Sequence, residues 1–167
     1  MNTILKLVIS LLVSFAAGGI GSLFTLKSIP TWYAQLRKPR YTPPNQTFGP
    51  VWTTLYILMG ISVYFIWQRG LATDGVLLPF VLFWVQLILN ALWSIIFFGM
   101  KSKGGGVITI IVLWFLILAT IITSFQVSIW AGILLIPYIL WVSIASYLNV
   151  GVWLLNRTLK KVTTDLP

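Results

Sequence analysis

Long apolar runs, four of them without a single charged side chain, dictate what this chain can fold into. Those four lie at 48–67, 76–98, 107–125 and 129–155, and one more at 5–26 carries only Lys6. Each is long enough to cross a hydrocarbon core of about 30 Å as a helix. With 59% hydrophobic and 8% charged residues, a 167-residue soluble fold could not keep so much apolar surface from water. The expectation is therefore an all-α integral membrane protein. It is a five-transmembrane-helix bundle forming one domain over residues 1–167, with no soluble module. The first run has the basic residue and small residues (Ala16-Ala17-Gly18-Gly19) of a secretory signal, but it continues to Leu26. A cleaved apolar region spans only about 7–15 residues, so the run is read as a retained helix. Ser10, Ser14, Gly18 and Ser22 recur at every fourth position, which strips one helix face of bulk for close packing.

The net charge of +9 suggests nucleic acid until its distribution is considered. Lys27, Arg37, Lys38, Arg40, Lys101, Lys103, Arg157, Lys160 and Lys161 fall on one side of the predicted topology, and only Lys6 and Arg69 on the other. Cation-rich short loops stay cytoplasmic. The N-terminus is thus expected outside, with the first loop, third loop and C-terminus inside. The positive charge is a topology signal with some attraction to anionic lipid, so membrane lipid is an expected partner and nucleic acid is not. The small number of N-terminal cations and the compact length point to a bacterial inner membrane.

Missing residue types narrow the chemistry. There is no Cys and no His, and the only acids are Asp74 and Asp165, both outside the apolar runs. Thiol and imidazole chemistry, haem or zinc ligation and a carboxylate proton relay at membrane depth all lack their residues. No metal site and no resident cofactor are expected. The polar groups within the runs are neutral and patterned. Gln86, Asn90, Trp93 and Phe97 share one helical face, as do Tyr138, Trp141, Ala145 and Asn149, while Trp52 and Tyr56 lie one turn apart. Amides are costly in lipid unless satisfied, so Gln86, Asn90 and Asn149 should point inward, either bonding neighbouring helices or lining a pocket. Trp67, Trp130 and Trp153 read as an interfacial belt, and Trp84 and Trp114 as packing or lipid-facing. Pro50 and Pro79 sit in opening turns of their helices, whereas Pro137 interrupts the last run and should kink it.

Between the first two runs, Trp32–Pro44 holds three aromatics, three cations and three prolines in thirteen residues. A plain connection needs none of these. A lid over a cavity for a large, flat, anionic ligand could use them all, with aromatic faces for stacking and Arg37, Lys38 and Arg40 for carboxylates.

Three blocks resemble the translocator protein family, also known as tryptophan-rich sensory proteins or peripheral benzodiazepine receptors (TspO/MBR). They are Trp32-Tyr33…Arg37-Lys38-Pro39…Pro43-Pro44…Phe48-Gly49-Pro50-Val51-Trp52…Tyr56, then Gln86–Ser94 with Phe97-Phe98, then Pro137-Tyr138…Trp141…Ala145…Asn149 through Asn156. The resemblance implies a five-helix bundle, a homodimer, and a pocket beneath the first loop. It implies ligands such as protoporphyrin, haem-related compounds and other hydrophobic molecules. Carried over, the ligand-binding positions are Tyr33, Pro43, Trp52, Asn90, Trp93, Trp141 and Ala145, with Arg37, Lys38 and Arg40 as anion contacts. Trp52 and Trp141 match tryptophans implicated in light-dependent porphyrin degradation. Three readings stay open: a receptor for tetrapyrroles that could support their transport or disposal; an enzyme-like porphyrin-degrading protein; and a transporter or scaffold.

The sequence departs from the family pattern in places. No cation follows Tyr147 until Arg157, so a sterol-recognition pattern fails there. Tyr41 and Thr109 replace a Trp and an acid common in relatives. Asn45-Gln46-Thr47 is read as turn residues, and Lys103-Gly104-Gly105-Gly106 as a flexible turn without phosphate-loop spacing.

Overall fold

The computed structural model describes residues 2–157, so Lys160, Lys161 and Asp165 lie outside the described residues. Five helices are long and apolar enough to cross a membrane. They are α1 (Thr3–Ser28), α2 (Asn45–Gln68), α3 (Leu77–Ser94, prolonged by a wide turn at Ile95–Gly99), α4 (Lys103–Val127) and α5 (Ile129–Asn156). All five predicted runs are helical, each within a few residues of its expected limits. The described residues contain no strand.

The helices close a ring in the order α1, α2, α5, α4, α3, with α3 returning to α1. Alternation places the C-termini of α1, α3 and α5 at the same end as the first loop, termed here the loop-1 end. Inside the ring, Met59, Phe83, Leu113, Ile117, Leu135 and Tyr138 are fully buried. The small-residue face of α1 acts largely as expected. Ser10 and Ser14 are buried, and a Cβ on Gly60 of α2 would come within 3.0 Å of the Leu11 backbone. Such proximity lets the two backbones approach closely. Between neighbours in the ring, Ser62 Oγ donates to the Ala131 carbonyl at 2.8 Å, which ties α2 to α5 away from the loop-1 end.

Three local expectations are corrected. Helix α2 begins at Asn45, so Asn45-Gln46-Thr47 are its first turn rather than turn residues, and Pro50 falls in its second turn rather than its first. The proline therefore leaves the Gln46 carbonyl without its helical donor. Residues Lys103–Gly106 form the first turn of α4 rather than a flexible turn. Ser102 Oγ caps that turn by accepting from Gly105 N–H at 3.2 Å. Gly105 and Gly106 leave room that a side chain would fill. A Cβ on Gly106 would stand 2.5 Å from Phe97 Cδ2 and 2.9 Å from Asn149 Oδ1. The reversal that precedes α4 uses Lys101 at φ 55°, a left-handed conformation unusual for a side-chain-bearing residue. Pro137 lies within α5, which runs unbroken as a helix from Ile129 to Asn156.

Candidate functional site

The interior amides point inward as the periodicity requires, because lipid offers them no partner. Gln86, Asn90 and Asn149 are 1%, 1% and 3% exposed. Asn90 of α3 bridges two phenols from different helices. Tyr56 Oη donates to Asn90 Oδ1 at 2.8 Å, and Asn90 Nδ2 donates to Tyr138 Oη at 2.9 Å. One turn toward the loop-1 end, Trp93 Nε1 donates to Asn149 Oδ1 at 3.2 Å, while Asn149 Nδ2 donates to the Ala145 carbonyl at 3.0 Å. These side chains therefore spend their polarity joining α2, α3 and α5. Gln86 differs, since neither of its amide atoms has a protein partner.

Around this network the aromatic rings form one continuous stack. Trp52 lies 5.6 Å from Tyr56 at 26°, 6.3 Å from Trp93 and 6.3 Å from Tyr138. Trp93 is parallel to Phe97 within 7° at 6.0 Å. The wide turn ending α3, closed by Met100 N–H donating to the Ile95 carbonyl at 2.8 Å, lets adjacent Phe97 and Phe98 both turn inward.

Loop 1 caps that stack. Tyr33, in a short turn at Tyr33–Gln35, is buried edge-on against Phe97 at 6.2 Å and Phe98 at 5.7 Å. Trp32 meets Phe97 at 5.5 Å. Burial pushes the Tyr33 phenol above its usual range. Lys38 Nζ rests 4.8 Å from the Tyr33 ring and donates to the Ala34 and Leu36 carbonyls, so it is already engaged. Arg37 and Arg40 are exposed, with the Arg40 guanidinium 5.8 Å from the Tyr41 ring. The loop is held to α5 by contacts that sequence reasoning missed. Asn156 Oδ1 accepts from Arg37 N–H at 3.1 Å, and Asn156 Nδ2 donates to the Arg37 carbonyl at 2.9 Å. Nearby, Pro39 lies over Gly151 so closely that a Cβ there would meet Pro39 Cγ at 2.2 Å. An amide at a helix end and a glycine five residues before it are the only signals the sequence offers.

A cavity of about 430 Å³ opens beside this stack, between α1, α2 and α3. Its aromatic wall is Phe48, Trp52, Tyr56, Trp93 and Phe98, and α1 contributes Gly18, Gly19, Ser22 and Thr25. Of the predicted ligand-binding residues, Trp52 and Trp93 line it. Tyr33, Pro43, Asn90, Trp141 and Ala145 do not. Most of these stand one residue behind the wall: Tyr33 against Phe98, Asn90 bonded to Tyr56, and Trp141 against Phe48 at 5.7 Å. Ser22, read from sequence as part of a packing stripe, and Phe48 are lining residues instead. The smallness that lets α1 approach α2 near Ser10 leaves open space near Gly19, where a Cβ would meet nothing within 4 Å.

The sequence profile of the TspO/MBR family matches residues 10–154. The tryptophan-rich protein TspO of Archaeoglobus fulgidus is 46% identical over 153 residues, covering 92% of this chain and 98% of that protein. The translocator protein of Homo sapiens is 38% identical over 135 residues, covering 80% of each. The tryptophan-rich sensory protein of Cereibacter sphaeroides is 38% identical over 125 residues, covering 75% of this chain and 77% of its own.

Proposed function

The chain belongs to the TspO/MBR family, and on that premise we propose that it is a membrane receptor for tetrapyrroles and similar flat hydrophobic molecules. The observation that carries this reading is the aromatic wall of the cavity at the loop-1 end. Its volume of about 430 Å³ falls in the range of small-molecule sites, about 300–1,000 Å³. Half-buried Trp52 offers a ring to a macrocycle, with Trp93 packed behind it, and offset stacking adds roughly 0.5–1.5 kcal/mol per ring pair beyond buried area. Arg37 and Arg40 are exposed on loop 1 outside the cavity lining, where they can meet propionate groups that project beyond it with paired hydrogen bonds. With seven of the nine cations among the described residues at the loop-1 end, that end faces the cytoplasm of a bacterial inner membrane, and the ligand is taken or delivered there.

The test uses protoporphyrin IX quenching of tryptophan fluorescence in detergent, with Gly19→Leu and Gly49→Leu as cavity-filling variants. A Cβ at either glycine meets nothing within 4 Å, so each new side chain can enter the cavity without breaking the fold. Saturable quenching by the unmodified protein, weakened about tenfold or more by either substitution, is the expected result. Equal affinity in all three proteins would remove the cavity from the reading. Illumination of the same samples addresses degradation: loss of porphyrin absorbance that needs light, oxygen and Trp52 would favour the enzyme-like alternative.

A further inference from the structure

At the end of the bundle remote from loop 1, the two cations that break the charge asymmetry are not scattered. Lys6 of α1 and Arg69 at the end of α2 line one pocket of about 390 Å³, together with Thr3, Gln68, Ser128 and Trp130. The N-termini of α1 and α5 converge on it, and no side chain caps the first turn of α5. Asp74, the only acid among the described residues, is not part of its lining. Lys6 Nζ donates to the Trp67 carbonyl at 3.1 Å, so one of its tasks is to close the C-terminus of α2. That leaves the Arg69 guanidinium, the hydroxyls of Thr3 and Ser128 and the open first turn of α5 around a space with positive potential.

We propose that this pocket binds the phosphodiester headgroup of an anionic phospholipid from the adjoining leaflet. Its depth fits that source, since helix ends in a membrane lie at headgroup level and an exposed tryptophan such as Trp130 belongs there. The surfaces leading away from it fit acyl chains: Ile4 and Val8 of α1 and Ile133 of α5 are exposed within about one turn of the lining residues. Selectivity follows from charge. A phosphatidylglycerol phosphate brings net negative charge to two cations, whereas the ammonium of phosphatidylcholine finds no carboxylate in the lining. Free inorganic phosphate shares the anionic chemistry but lacks the chains.

The purified, delipidated full-length protein would be titrated with phosphatidylglycerol, phosphatidylcholine or inorganic phosphate and read by native mass spectrometry. Attraction of this kind predicts a preference for phosphatidylglycerol over phosphatidylcholine of about tenfold or more, from about 1 kcal/mol per cation. Lys6→Gln/Arg69→Gln should bring the preference near parity, while Lys27→Gln/Lys101→Gln, two exposed cations at the other end, should retain it. A preference that survives in the first variant, or disappears equally in both, overturns the proposal. So does displacement of the lipid by millimolar phosphate, which would make the occupant a free anion. Should Lys6→Gln/Arg69→Gln fail to fold, the unmodified protein serves with a photoreactive phosphatidylglycerol. Crosslinks are expected in the peptides carrying Thr3–Lys6 or Ser128–Trp130, and crosslinks confined elsewhere overturn the idea.

Discussion

Asn156→Ala should release the lid and leave the bundle standing. The Asn156 side chain is 4% exposed and makes two bonds to a single loop-1 residue, accepting from Arg37 N–H at 3.1 Å and donating to its carbonyl at 2.9 Å. Its third bond, to the Val152 carbonyl at 2.7 Å, stays within α5 and bears on side-chain orientation rather than on the lid. A typical intramolecular hydrogen bond contributes about 0.5–1.5 kcal/mol net, so losing two costs loop 1 roughly 1–3 kcal/mol. The midpoint, about 2 kcal/mol, corresponds to about a 30-fold rise in the population of the undocked lid. The rest of the lid contact, Pro39 on Gly151 and Tyr33 on Phe97 and Phe98, is untouched, so opening remains a minority event.

Hydrogen exchange followed by mass spectrometry measures this directly. Peptides spanning residues 29–44 should exchange about 30-fold faster in Asn156→Ala, while peptides from α2, α3 and α4 stay within about twofold of the unmodified protein. Unchanged loop-1 exchange would refute the clasp. Uniformly faster exchange across all helices would show that Asn156 supports the bundle rather than the lid.

Three further outcomes follow from the same geometry. Gly106→Ala should cost about 1–3 kcal/mol by overpacking Phe97 and Asn149, read as a lower melting temperature in detergent, whereas Gly49→Ala, where a Cβ meets nothing within 4 Å, should not lower it. Asn90→Ala strands two buried phenols at a cost of about 1–3 kcal/mol, and much of that loss should return in Tyr56→Phe/Asn90→Leu/Tyr138→Phe, which removes the whole network; no recovery would mean Asn90 matters for shape alone. Because burial raises the Tyr33 phenol above 10.0, its contribution to stability is full below about pH 10 and is lost as pH rises through the folded value. Thermal melting of the unmodified protein and Tyr33→Phe at rising pH should reveal this as an additional loss of stability above about pH 10 in the unmodified protein that the variant lacks.

How much of this was legible in the sequence depends on the range of the forces involved. The five spans could be read because lipid imposes one rule on every residue along about 20 positions: apolar outside, no unmet backbone. Burial of Asn90 and Asn149 follows from the same rule. What they bond to does not, since Tyr56, Tyr138 and Trp93 come from elements set by the ring order of the helices. The glycines of 104–106 illustrate the limit most clearly. A run of Gly after Lys reads as a flexible connection by local propensity, yet it forms the first turn of α4, where Gly106 leaves room for Phe97 and Asn149. The cavity moved for a related reason. Periodicity identified Trp52 and Trp93 as inward-facing, but Tyr56 and Tyr138 occupy Asn90, and the open space falls on the α1 side of the two indoles.

Lid and cavity share a physical connection that neither shows by itself. Tyr33 touches Phe97 and Phe98; Phe97 stacks on Trp93; Trp93 and Phe98 both form the cavity wall. Close-packed aromatic groups do not slide independently, because even a gap of about 0.5–1 Å forfeits a quarter to a half of each contact. Undocking Tyr33 therefore removes support from two wall residues at once. The wide turn at Ile95–Gly99 is what places both phenylalanines in reach of the lid. If a ligand wedged Trp93 away from Phe97, it would weaken the Tyr33 seat by the same contacts, and by reciprocity undocking of loop 1 would change that ligand's affinity by an equal free energy. The Asn156 clasp holds Arg37 to α5 by bonds separate from the Tyr33 contacts, so loss of the aromatic seat does not by itself break the tie to α5.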